Sequence, residues 1–125
     1  MSDAEELLAF QLRVTCVDFE REYRFAAEAC DGPGKGLRSR LAAAGLKDWR
    51  ADFALTDAML LVEVEGGGWT GGRHTRGAGF EGDLAKYDAA MRLGYVVYRC
   101  SPAMVKSGRA IETIMALVQL RQMVD

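Results

Sequence analysis

Three carboxylates stand close together in the middle of the chain: Asp52, then Glu63 and Glu65. Glu63 and Glu65 lie two apart in LLVEVE, residues 60–65, a run rich in β-formers, so both project from one face of a strand. Upstream, Trp49, Ala51, Phe53 and Leu55 alternate with Arg50, Asp52 and Ala54, the pattern of a half-buried strand. If residues 56–59 make a four-residue hairpin connection, Leu55 pairs with Leu60 and Asp52 lies opposite Glu63. All three carboxylates then share a face. Like charges so placed repel and weaken the pairing. A hard divalent cation neutralises them, and magnesium binds through one or two carboxylates together with water and phosphate oxygens. The plain alternative is that Glu63 and Glu65 point into solvent from an edge strand.

Two further features extend this constellation. Seven of the 14 glycines fall between Gly66 and Gly79, directly after the acidic strand, in GGGWTGGRHTRGAG. That segment reads as a loop, and it carries the only histidine, His74, between Arg73 and Arg76. Beyond it, Asp83 and Lys86 lie three apart on a predicted helix and so neighbour each other on one face. Either they form a surface ion pair of little worth, or Lys86 reaches back to the carboxylates.

The elements that must position these groups follow from periodicity. Residues 3–14 read as a helix, with Leu7, Leu8, Gln11 and Val14 near helical spacing and Ser2 or Asp3 as cap. Residues 20–27 read as a first strand, since Tyr23 and Phe25 alternate with charged neighbours. Asp-Gly-Pro-Gly at 31–34 signals a turn, and RSRLAAAGL after it a short helix ended by Gly45. A helix over 80–92 places Phe80, Leu84, Tyr87 and Met91 on one side. It ends at Gly94 and leads to a strand, YVVYR, at 95–99. Ser101-Pro102 starts a helical turn. A last helix, from about 109 to 123, buries Ile111, Ile114, Met115, Val118 and Gln122. The order α-β-β-β-α-β-α predicts one α/β domain over 1–125, a mixed central β-sheet flanked by helices.

The runs WRADFAL, LLVEVEGG and GRHTRGAGFEGDLAKYDAAMRLGYVVYR resemble the PD-(D/E)XK nuclease superfamily, and within it small proteins of phage or prophage type. The resemblance covers residues 49–108 well and the N-terminal third weakly. It implies a restriction-endonuclease-like core, with Mg2+ or Mn2+ held by carboxylates from two adjacent strands. Asp52 matches the first acid and Glu63 the second. Glu65 stands where the motif lysine usually stands, so Lys86 would supply that lysine's role, or Glu65 would act as base or extra ligand. A first-helix acid is also implied, with Glu6 the candidate and Glu5 and Glu22 behind it. The implied activity is hydrolysis of DNA phosphodiester bonds, structure-selective or weakly sequence-selective, in phage recombination or repair. The implied alternative is a module that keeps the fold for nucleic-acid binding or assembly with little or no catalysis. Cutting both strands usually takes two sites, which points to a homodimer.

The wider composition is compatible with this. The net charge is -2, but cations gather in acid-poor stretches: Lys35, Arg38, Arg40, Lys47 and Arg50, then Arg73 and Arg76, then Arg92, Arg99, Lys106 and Arg109. Either these are solvated surface charges, or folded together they line a basic rim, with Arg50, Arg73, Arg76 and Arg99 placed to hold DNA phosphates and His74 placed to deliver a proton to the leaving oxygen or to hydrogen-bond a phosphate oxygen. No apolar run reaches the roughly 18 residues of a membrane span. The acidic MSDAEELL start lacks a signal-peptide plan, so a cytoplasmic location is expected. Cys16, Cys30 and Cys100 are scattered, with no C-x-x-C, and read as reduced, mostly buried thiols. The glycine run contains no GK[ST], and no G-x-S-x-G occurs, which disfavours nucleotide binding and serine-hydrolase chemistry.

Overall fold

The computed structural model describes residues 2–66 and 78–124. Helix α1 (Asp3–Val14) is followed by β1 (Glu20–Tyr23), α2 (Phe25–Ala29), α3 (Leu37–Ala44) and β2 (Ala51–Leu55). A single 3-10 turn, Thr56–Ala58, connects to β3 (Leu60–Val64). Then come α4 (Ala78–Arg92), β4 (Val96–Cys100), α5 (Pro102–Lys106) and α6 (Arg109–Val124). The four strands form one mixed sheet in the order β1-β2-β3-β4. β1, β2 and β3 run antiparallel in turn, and β4 lies parallel to β3.

Helices cover both faces of the sheet. On one, Leu8 and Leu12 of α1, Val105 of α5 and Ile114 and Val118 of α6 pack with Phe53, Leu55, Leu60 and Val62. On the other, Phe25 of α2, Leu41 of α3 and Ala90 of α4 pack with Ala54 and Leu61. Truncating a fully buried ring such as Phe53 in a core of this kind costs about 3–5 kcal/mol. The chain ends of these helices obey local chemistry. Ser2 Oγ accepts from the Glu5 amide at 3.1 Å, and Ser101 Oγ from the Met104 amide at 3.2 Å with Pro102 in the first turn.

The β2–β3 turn is fastened from outside. Arg121 of α6 donates from Nε to the Ala58 carbonyl at 2.9 Å and from Nη2 to the Gly94 carbonyl at 3.2 Å. Met59 closes the turn with φ 52°, and Gly94 takes φ 102° beside the Met59 methyl. A side chain at 94 would be strained there, which accounts for glycine at the end of α4.

Three sequence expectations are corrected. The first strand stops at Tyr23; residues 25–29 are helical, so two short helices separate β1 from β2. The alternation of Tyr23 and Phe25 imitated a strand, but FAAEA is rich in the strongest helix former and buries Phe25, Ala26 and Ala27. On α4 the stripe of Phe80, Leu84 and Met91 is exposed, and the helix rests instead on Tyr87, Ala89 and Ala90. Small residues let the helix approach the sheet closely, and that outweighed the larger apolar side chains. Val14 and Gln122 are likewise exposed.

Candidate functional site

The β2–β3 register is the one the four-residue connection requires. Leu55 pairs with Leu60 and Phe53 with Val62, which sets Asp52 opposite Glu63. At that position side chains take over from the backbone ladder. The Asp52 amide donates to Glu63 Oε2 at 3.0 Å, and the Val64 amide donates to Asp52 Oδ2 at 2.8 Å. The same place is irregular toward β1. Arg21 pairs with Phe53 and Tyr23 with Ala51, while Glu22 between them has φ 49°, a left-handed conformation costly for a residue with a Cβ. The side-to-side alternation breaks here as well: Phe53 packs on the α1 face and Ala51 on the α2 face. The strands therefore part around Asp52 and leave its carboxylate half-buried at the opening.

Glu63 is the only buried charged side chain among the described residues. Its Oε1 accepts from Lys86 Nζ at 2.6 Å and from the Tyr87 hydroxyl at 3.3 Å. Lys86 thus turns toward the sheet and away from the Asp83 pairing that its spacing also allowed. Burial raises the Glu63 pKa above its ordinary value, against the pull of Lys86. Burial likewise raises that of Asp52. The Val64 amide opposes this, Glu5 and Glu22 add to it by like-charge repulsion, and Lys86 opposes it.

Glu65 does not join Asp52 and Glu63 at a common point. Arg99 of β4 takes it by both nitrogens, Nε to Oε2 and Nη2 to Oε1 at 3.3 Å each, and the Tyr87 hydroxyl lies 3.3 Å from Oε2. The Arg99 guanidinium also stacks 4.5 Å from the centre of the Tyr87 ring. The expected triple meeting of carboxylates is thereby corrected, because β4 brings a bidentate cation to Glu65. A different trio meets instead. Carboxylate oxygens of Glu5, Glu22 and Asp52 lie within 4.8 Å of one another. Glu6, the preferred first-helix candidate, points elsewhere and binds Arg21 at 3.0 Å, which holds its carboxyl below the usual range. Glu5 and Glu6 differ by 100° around α1, and the seating of that helix on the sheet decides between them.

Arg50 stands at the rim, exposed, with Nη1 4.0 Å from Glu22 Oε1. Arg40, counted among the basic residues, turns inward and donates to the carbonyls of Cys30, Lys35 and Gly32. His74, Arg73 and Arg76 lie outside the described residues. Tyr87 is the site residue that sequence reasoning missed. By helical spacing it belongs to an apolar stripe, although its place beside Lys86 on the helix is a usable signal. Cys30 and Cys100 are buried and Cys16 exposed, all three free. Burial, reinforced by Asp52 and Glu65, pushes the Cys100 thiol up to about 11, which makes it a poor nucleophile.

The donor set around Asp52 is all hard oxygen, the chemistry of magnesium or manganese sites and not of zinc or copper. No family model matches the chain, and neither a curated protein nor a solved structure does. Among the described residues no helix is long and apolar enough to cross a membrane.

Proposed function

We propose that the chain is a metal-dependent DNA endonuclease that hydrolyses phosphodiester bonds. The observation that carries this reading is the buried Lys86–Glu63 pair set across parted strands from Asp52, with two more acids at the opening. Asp52 and Glu63 Oε2 would hold a Mg2+ or Mn2+ ion, with Glu5 and Glu22 completing the acidic side. When bound, such an ion polarises a phosphoryl oxygen and lowers the pKa of a coordinated water. Lys86 does the work otherwise assigned to a lysine at position 65. From α4 its ammonium stands where it orients the attacking water or meets the developing negative charge. Arg50, exposed at the rim, is available for flanking phosphates, and Arg99 becomes so when a phosphate displaces Glu65. The phage recombination or repair type of substrate, the restriction-endonuclease-like identity of the sheet and a homodimeric assembly belong to the same proposal. So do contacts of His74, Arg73 and Arg76, which lie outside the described residues, with the scissile phosphate.

A second reading has one observation in its favour: Lys86 already neutralises Glu63, so the fold stands without an ion. In that reading the chain is a nuclease-fold module that binds nucleic acid without cutting it. Incubation with supercoiled, branched and single-stranded DNA, with Mn2+ or with EDTA, separates the two. Cleavage that requires metal and disappears in Asp52→Asn supports the nuclease. Salt-sensitive binding with no cleavage in any metal leaves the binding module.

A further inference from the structure

Tyr87 touches both glutamates of β3 and its immediate extension. Its hydroxyl lies 3.3 Å from Glu63 Oε1 and 3.3 Å from Glu65 Oε2. A phenol has one proton, so it donates to one of them at a time while accepting nothing from either carboxylate. The ring is held from several sides. It is 8% exposed, Arg99 stacks over it at 4.5 Å, and Lys86 Nζ lies 5.7 Å from its centre.

Glu63 has to present one oxygen to Asp52 and keep the other away. The terminal torsion of a glutamate is broad and nearly two-fold, so rotation exchanges its oxygens at little cost. An ammonium on a flexible stem is a point charge that either oxygen satisfies. Lys86 therefore neutralises Glu63 without choosing its orientation, which is set by two directional donors, the Asp52 amide 3.0 Å from Oε2 and the Tyr87 hydroxyl 3.3 Å from Oε1. A hydroxyl on a wedged ring has a fixed direction. We propose that Tyr87 is a positioning residue: it pins Glu63 Oε1 on the α4 side and so presents Oε2 to Asp52 and the cation. Through its contact with Glu65, and with Arg99 on its ring, it also keeps Glu65 out of the ion's reach. This inference rests on the metal-dependent reading above and deepens it.

Tyr87→Phe tests the idea, since it keeps the ring and the Arg99 stack and removes only the hydroxyl. Three quantities are read on parent and variant: Mn2+ affinity by titration calorimetry, kcat and KM on a DNA substrate, and Tm in EDTA. Groups that orient a metal ligand are typically worth about 10–100-fold in metal affinity or activity. Mn2+ affinity and kcat are expected to fall by roughly 10-fold or more on that scale, with KM for DNA and the metal-free Tm close to parental. Parental Mn2+ affinity together with parental kcat would overturn the proposal. A parent that binds Mn2+ but cuts no DNA removes the nuclease reading alone, and weaker Mn2+ binding in Tyr87→Phe then still supports the positioning role. A parent that neither binds Mn2+ nor cuts DNA overturns both.

Discussion

Two halves of one site handle negative charge in opposite ways. On the α4 side each carboxylate has a partner: Glu63 has Lys86 and Tyr87, and Glu65 has Arg99 and Tyr87. On the α1 side Glu5, Glu22 and Asp52 crowd together, with Arg50 Nη1 4.0 Å from Glu22 Oε1. The first half is compensated internally. The second keeps its acids at the cost of mutual repulsion and of a left-handed Glu22. Such an imbalance is what a cation would relieve, and under the proposed function an ion at Asp52 would share the work with a lysine acting from the α4 side.

Asp52→Asn attacks that contrast most directly. It removes a charge from the crowded half, so metal-dependent cleavage is expected to fall by 10²-fold or more, on the order of the loss of a main electrostatic contributor. The same variant is expected to melt higher than the parent in EDTA and to lose the Mn2+-induced rise in Tm that linkage predicts for the parent. A variant that melts lower in EDTA and still gains from Mn2+ would break the comparison.

Lys86→Met removes the compensation on the other side. Turnover is expected to drop on the order of 10²-fold with DNA binding retained. The fold also loses stability, because a buried carboxylate is left without its cation. Equilibrium urea unfolding measures the loss. It should be smaller at acid pH, where Glu63 takes up a proton and no longer needs the partner.

A pH dependence sharpens the same contrast. Asp52 titrates above its ordinary value of 3.8 in the folded state. The folded chain then binds more protons there than the unfolded chain, so this group lowers stability as pH rises from the unfolded value through the folded one. The difference in Tm between Asp52→Asn and parent in EDTA should therefore grow across that window and level off above it. Saturating Mn2+ should abolish the parent's decline. A difference that is flat with pH would mean that Asp52 carries no excess repulsion.

The smallest effect separates neighbours on α1. Glu6→Ala breaks only an exposed pair with Arg21, and its Mn2+ affinity and cleavage rate should match the parent's. Glu5→Ala should weaken Mn2+ binding measurably. Calorimetry on the two single variants decides the point, and the reverse ranking would restore Glu6 as the first-helix ligand.

Much of this frame was legible along the chain. Alternation around Trp49–Leu55, the β-rich LLVEV and a four-residue connection are local features, and they were enough to put Asp52 opposite Glu63. The caps at Ser2 and Ser101, and the stop of α3 at Gly45, follow from side-chain and backbone chemistry within a few residues. What required the folded molecule were distances between segments far apart in sequence. Lys86 chooses Glu63 over Asp83 because α4 lies on the sheet through Tyr87, Ala89 and Ala90. Glu65 meets Arg99 because β4 runs parallel beside β3 with Glu63 next to Arg99 in register. Glu5, not Glu6, reaches Asp52 because α1 settles on Ala4, Leu8, Ala9 and Leu12. Periodicity determines which face a residue occupies; only packing determines what that face meets, since a rotation of one residue about a helix moves a carboxylate from one partner to another.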